Sequence, residues 1–288
     1  MQTLAAGAVG GPVASLLREY STEVTARDRR SIDAAPDLLP RGAEVFIAAV
    51  PGEGIDLMIA AAARLRALGL TPVPHIVARN FADLKDVDHA LGRLRDEAGL
   101  DRLLALGGDR DKPEGGLHCS QQLIGSGLFQ KHGVRKLFIA CYPEGHPRVA
   151  DAVLEEARQD KLRIAAEAGL DVTLISQFCF DAGPIVEMTR RMRAQGTQVP
   201  YRVGVAGPAE RATLVKYALM CGVGASLRAL KQRQDLARNV MSGETPEALL
   251  TEVAAAQQAD PALGVAGVHF FTFGGLARSV EWAEKMGR

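Results

Sequence analysis

Short apolar or β-branched runs alternate along the chain with longer stretches whose apolar residues recur every three or four positions. The runs predict strands and the stretches predict amphipathic helices. Eight runs stand out: Glu19–Thr25, Glu44–Val50, Pro72–Ala78, Arg102–Gly107, Lys136–Cys141, Asp171–Phe178, Pro200–Ala206 and Gly267–Phe273. Between them, Ile55–Leu68, Asp83–Ala98, Arg148–Ala168 and Pro184–Ala194 predict crossover helices. Eight strand–helix units predict a closed (β/α)8 TIM barrel. An open doubly wound sheet would more often carry a G-x-G-x-x-G turn after its first strand, and none follows any of these runs. Gly222 and Gly224 read as a helix end, and Pro208 suits the first turn of a helix, where no N–H partner is needed. Some 60 residues separate the last two strands, which predicts two extra helices, around Ala225–Asn239 and Pro246–Gln257. The expected organisation is a lead-in over residues 1–18 and one barrel domain over residues 19–288.

Composition narrows the class. The 288 residues carry 34 Lys+Arg against 34 Asp+Glu, so no global field favours nucleic acid, and no local basic stripe is visible. Arg64 and Arg66 interrupt the best apolar run, so no membrane span is expected. The stretch Met1–Leu17 has no basic residue ahead of it and is broken by Gly7, Gly10, Gly11 and Pro12, which reads as a frayed lead-in and not as a signal peptide. Cys119, Cys141, Cys179 and Cys221 form no C-x-x-C pair and read as reduced thiols, consistent with a cytoplasmic protein. A homo-oligomer is left open.

In a barrel of this kind the chemistry sits at the carboxyl ends of the strands. The residues there are Glu23, Pro51–Gly54, His75, Gly107-Gly108-Asp109, Tyr142–Pro147, Gln177 and Phe271-Thr272. Two acids, an amide and imidazoles can donate a proton, steady a cation and orient a polar heterocycle. No lysine stands at a strand end, which argues against Schiff-base chemistry, and no short metal-ligand spacing occurs, so no metal is expected. Glu23 in an apolar strand would turn outward if the register slipped by one, Asp109 also suits a tight turn, and His75 also suits a satisfied core position. His269 and Phe270 alternate faces, one of them expected in the barrel core, while His89, His118 and His132 read as solvated.

These motifs, in order over roughly residues 19–275, resemble the methylenetetrahydrofolate reductases, flavin-dependent barrels that reduce the one-carbon bridge of a folate with a nicotinamide. Ser21-Thr22-Glu23 resembles the family's S-F-E, Pro74-His75 its P-H-L-T, and Leu104–Asp109 its A-L-R-G-D. Cys141–Pro147 is similar to Y-P-E-x-H-P, Ser176–Asp181 to T-Q-F-F-F-D, and His269–Thr272 to H-F-Y-T. The resemblance implies Glu23 as general acid and Asp109 as the anion that stabilises an iminium. It implies a tetrahydrofolate derivative contacted by Gln177, Phe271 and the position of Arg211. It further implies FAD lined by His75, Tyr142, His146, Gly107 and Gly108, with NAD(P)H as hydride partner. A carboxyl that acts as an acid at neutral pH needs an apolar surround or a like charge beside it.

The chain departs from the family pattern at the flavin. Gly107 stands where the family has an arginine, and Ala165 aligns, with a slip of one residue, to a lysine that reaches the flavin phosphates, leaving Lys161 or Arg163 as substitutes. Arg211 stands where the family has an aromatic that covers the folate. Two other readings follow from the same barrel: a folate-dependent methyltransferase, or a non-catalytic folate- or flavin-binding subunit.

Overall fold

The computed structural model describes residues 11–223 and 245–288. Eight parallel strands close into a barrel: β1 Ser21–Thr25, β2 Glu44–Ala48, β3 Thr71–Val77, β4 Arg102–Leu106, β5 Lys136–Cys141, β6 Asp171–Ser176, β7 Tyr201–Ala206 and β8 Val265–Phe271. Every run named from the sequence contains or overlaps one of them. Closure comes from β8 lying beside β1, with Ser21 opposite His269 and Thr22 opposite Phe270.

The outer ring holds, among the described residues, α1 Pro12–Leu16, α2 Arg29–Leu38, α3 Ile55–Ala67, α4 Leu84–Ala98, α5 Ser120–Ile124, α6 Leu128–Lys131, α7 Asp151–Glu167, α8 Ala182–Ala194, α9 Arg211–Met220, α10 Glu247–Ala259 and α11 Leu276–Gly287. Aspartates start three of them: the side chains of Asp28, Asp83 and Asp181 accept backbone N–H bonds from the first turns of α2, α4 and α8. Within the βα segment after β7, α10 matches the second extra helix; the one expected at Ala225–Asn239 lies outside the described residues.

Three local expectations need correction. Pro208 is in the loop before α9, which starts only at Arg211. The lead-in is ordered from Gly11 onward: α1 packs on α10, α11 and β8, burying Val13, Leu16 and Leu17, because those three apolar side chains share one face that the barrel can cover. His132, read as solvated, is buried, and its Nε2 lies 2.6 Å from Asp88 Oδ1 across α4.

Strand alternation sends every second side chain into the barrel, where they stack in tiers. The floor is ionic. Glu44 accepts from Arg102 (2.6 Å) and Lys136 (3.0 Å), and it also accepts from Arg202. Above it lies an apolar tier of Phe46, Val73, Leu104, Phe138 and Ile175. The mouth therefore opens above a dry layer. Among the described residues no helix is long and apolar enough to cross a membrane.

Candidate functional site

Glu23 is the third residue of β1, on the same face as Ser21, so its carboxyl enters the barrel on the tier above Phe46. Its side chain is only 17% exposed, with Oε2 3.4 Å from His75 Nε2 and 3.8 Å from His269 Nε2. The two imidazoles differ. His269 is held by Ser21 Oγ, 2.9 Å from its Nδ1. His75 Nε2 is buried with no hydrogen-bond partner among the described residues, because the approach of Glu23 falls outside hydrogen-bond geometry. Burial, helped by His269 and opposed by Glu23, lowers the His75 pKa to about 4, so this ring is neutral near pH 7. The β1 backbone is tied to the end of β8, where Thr272 Oγ1 donates to the Glu23 carbonyl at 2.5 Å.

The loop after β4 carries Gly107, Gly108 and Asp109. Gly108 sits at φ +107°, and a Cβ there would come within 2.5 Å of Val77 Cγ1, so only glycine fits. Gly107 is different: a Cβ would meet nothing closer than 3.8 Å. Asp109 projects over the mouth, its side chain 87% exposed, with Oδ1 3.9 Å from His146 Nε2. His146 crosses edge-on against Tyr142 at 5.2 Å, and its Nδ1 accepts from Arg148 N. Burial lowers the His146 pKa, with Arg148 adding to the shift and Asp109 opposing it. The Tyr142 hydroxyl is pushed up to about 12, first by burial and then by Asp109. Cys221, at the end of α9, feels both acids: burial, then Glu23 and Asp109, push its thiol up to about 11.

On the opposite wall, Gln177 follows β6 directly. Its Oε1 accepts from Phe178 N at 3.1 Å, which leaves the amide NH2 to donate. Phe271 is half-buried, 5.0 Å from His269 and 5.3 Å from Phe178. Arg211 is exposed on the first turn of α9. The rings on this side are Phe271, Phe273 and Tyr217, with Phe273 stacked on Tyr217 at 4.4 Å. Sequence reading passed over Phe273, Tyr217, Cys221 and the Ser21–His269 contact. Only the S-x-E alternation and the histidine of H-F-F-T hinted at the last.

Two cavities adjoin these residues. One of about 740 Å³ runs from His75 and Val77 over the β2–α3 loop and between α3 and α4, with Arg110 at its edge. The other, about 310 Å³, lies between α7 and α8 and is lined by Tyr142, Arg158 and Lys161. Lys161 is half-buried in this wall with no hydrogen bond or ion pair among the described residues, and desolvation lowers its pKa, with only the thiols Cys119 and Cys141 opposing. Arg163 faces outward, paired with Glu167 at 2.9 Å and Asp160 at 3.5 Å, and Ala165 is in the core.

Known proteins share this barrel. The family profile described as Methylenetetrahydrofolate reductase matches residues 45–275. Methylenetetrahydrofolate reductase (NADH) 1 of Arabidopsis thaliana is 28% identical over 169 residues, covering 54% of this chain but only 28% of that relative's length. A Clostridium thermocellum protein described as binding two copies of 5-methyl-5,6,7,8-tetrahydrofolic acid superposes with a TM-score of 0.57 at 12% identity, covering 91% of this chain and 94% of its own. Dihydropteroate synthase from Thermus thermophilus gives 0.50 at 17% identity, covering 93% and 94%. At such identities the two structures speak for the barrel alone. The profile match extends over most of the chain, from β2 to the end of β8, and on that ground the chain belongs to the methylenetetrahydrofolate reductase family.

Proposed function

We propose that the chain reduces the one-carbon bridge of 5,10-methylenetetrahydrofolate to the 5-methyl form, with NAD(P)H as the source of hydride. The observation that carries this reading is the Glu23 carboxyl, inside the barrel mouth and within 4 Å of the edges of two imidazoles. Family membership supplies the class of substrate.

The chemistry asks for a proton donor first. Protonated Glu23 gives its proton to N10 of the folate, the bond from N10 to the bridging carbon breaks with its electron pair going to N10, and an N5 iminium remains. Asp109, exposed above the mouth, supplies the negative charge that stabilises that cation. The free NH2 of Gln177 orients the pterin. Hydride then adds to the iminium carbon and completes the methyl group. The His75 ring, its pKa lowered to about 4 chiefly by burial, is neutral near pH 7 and does not compete as a proton donor.

The residues fit a flavin. His75 lines the larger cavity, and Lys161, with no ion pair among the described residues, lines the smaller one beside Tyr142. His75, Tyr142, His146, Gly107 and Gly108 would hold the ring system, and Lys161 would hold the phosphates. Bound there, a flavin supplies a relay for hydride between nicotinamide and folate.

The test is spectral and kinetic. Absorbance between 350 and 500 nm reports bound flavin, and NADH oxidation dependent on methylenetetrahydrofolate reports the reaction. Glu23→Gln is expected to lower kcat by roughly 10²- to 10⁴-fold while 5-methyltetrahydrofolate still binds. A protein that binds this folate but exchanges no hydride, with or without added flavin, would instead be a methyltransferase or a binding subunit.

A further inference from the structure

Phe273 is the one non-glycine residue among those described with positive φ, at +49°. A phenylalanine in the left-handed region is strained, and glycine would take the same conformation freely. Gly274 and Gly275 follow immediately, so the chain has flexible residues at hand and nonetheless carries a ring at the strained position.

The strain sets where that ring lies. Phe273 stacks on Tyr217 at 4.4 Å with an interplanar angle of 23°, and runs within 26° of parallel to Phe271. Phe178 meets both from behind, at 5.3 Å, and is wholly buried. The three front rings are only half-buried. With 5% aromatic residues the chain is poor in rings, yet four of its nine phenylalanines, Phe178, Phe180, Phe271 and Phe273, gather here. The wall adjoins the acid: Phe271 touches His269, and Thr272, between the two wall residues, bonds the Glu23 carbonyl. Half-buried rings beside buried polar groups suit a flat heteroaromatic ligand, which would meet the sides of the stacked pair that they do not cover for each other.

We propose that Phe273 and Tyr217, flanked by Phe271, form an aromatic platform that receives the flat ring system of the folate and positions it against Glu23. This rests on the folate reading above. It makes Phe273 and Tyr217 positioning residues, supplying from α9 and the β8–α11 loop the ring surface that Arg211 does not.

The experiment measures dissociation constants of 5-methyltetrahydrofolate and NADH by calorimetry, with Tm from circular dichroism, on the whole chain. Phe273→Gly relieves the backbone and removes the ring; Tyr217→Leu removes its partner; Tyr217→Phe restores it; Phe273→Leu carries the test if the glycine variant does not fold. Folate binding is expected to weaken roughly three- to tenfold in Phe273→Gly and Tyr217→Leu, to recover in Tyr217→Phe, and NADH binding to hold. Folate binding as tight as wild type, with or without a fall in Tm, overturns the platform, as does a loss that falls on NADH or on both ligands alike. Failure of the wild-type chain to bind this folate brings down the functional reading as well, which separates the two failures.

Discussion

Glu23 shows how much one side chain depends on partners far away in sequence. Alternation puts Ser21 and Glu23 on one face of β1 and Thr22 and Val24 on the other, but a one-residue slip would exchange those faces, and the inward choice rests on the family resemblance. Its neighbours were not legible: His269 reaches it only because β8 closes on β1, a pairing that leaves no local mark. Gly107 carries the complementary lesson. In sequence it reads as a lost arginine, a departure with no stated reason; in the structure its Cβ position is open, with nothing closer than 3.8 Å, so the backbone does not demand glycine there. Gly107→Arg is therefore expected to fold and to bind FAD more tightly than the parent chain. A titration followed by flavin fluorescence checks it, and unchanged or weaker affinity would count against a flavin lying over this loop. Gly108→Ala, by contrast, would drive a methyl into Val77 and strain the backbone.

At the level of elements, the strands were the legible part. Their runs are apolar on both faces, as parallel strands covered by helices must be, and the positions held to within a few residues at each end. The short helices were harder. α5 and α6 fill the β4–β5 crossover with five and four residues, too few turns to show a period. α1 was hidden by the glycines around it, and the packing of α1 on α10, α11 and β8 exists only in three dimensions. Leu16, 4% exposed at the centre of that contact, tests its worth. Leu16→Ala is expected to cost roughly 2–4 kcal/mol in urea unfolding, whereas an unstructured lead-in would give no measurable change. Tyr217 was invisible for another reason: a ring on a helix reads as core until the loop after β8 brings Phe273 against it.

Over the whole molecule, the ionic floor sets the response to acid. Burial by itself would raise the Glu44 carboxyl, but Arg202 and Lys136 outweigh it and hold the pKa at about 2 against an ordinary 4.5. A carboxyl depressed in the folded state contributes stability above its unfolded pKa and loses it as pH falls through the folded one. The window therefore runs from about 4.5 down to about 2, and the linkage amounts to roughly 3 kcal/mol at neutral pH. Unfolding free energy measured across that window is expected to fall steeply in the parent chain. In Glu44→Gln it is expected to be lower at neutral pH, with a shallower slope, because Lys136 and Arg202 then lose their carboxylate while Arg102 keeps Asp101. Equal slopes in the two proteins would remove Glu44 from the account.

The same floor has a consequence for traffic. Glu44 and its cations fill one end of the barrel, and the apolar tier of Phe46, Val73, Leu104, Phe138 and Ile175 lies above them, so the interior is occupied on that side. On the reductase reading proposed above, the hydride donor and the hydride acceptor would share one vestibule, each vacating it for the other, so that the order of arrival and departure would become part of turnover.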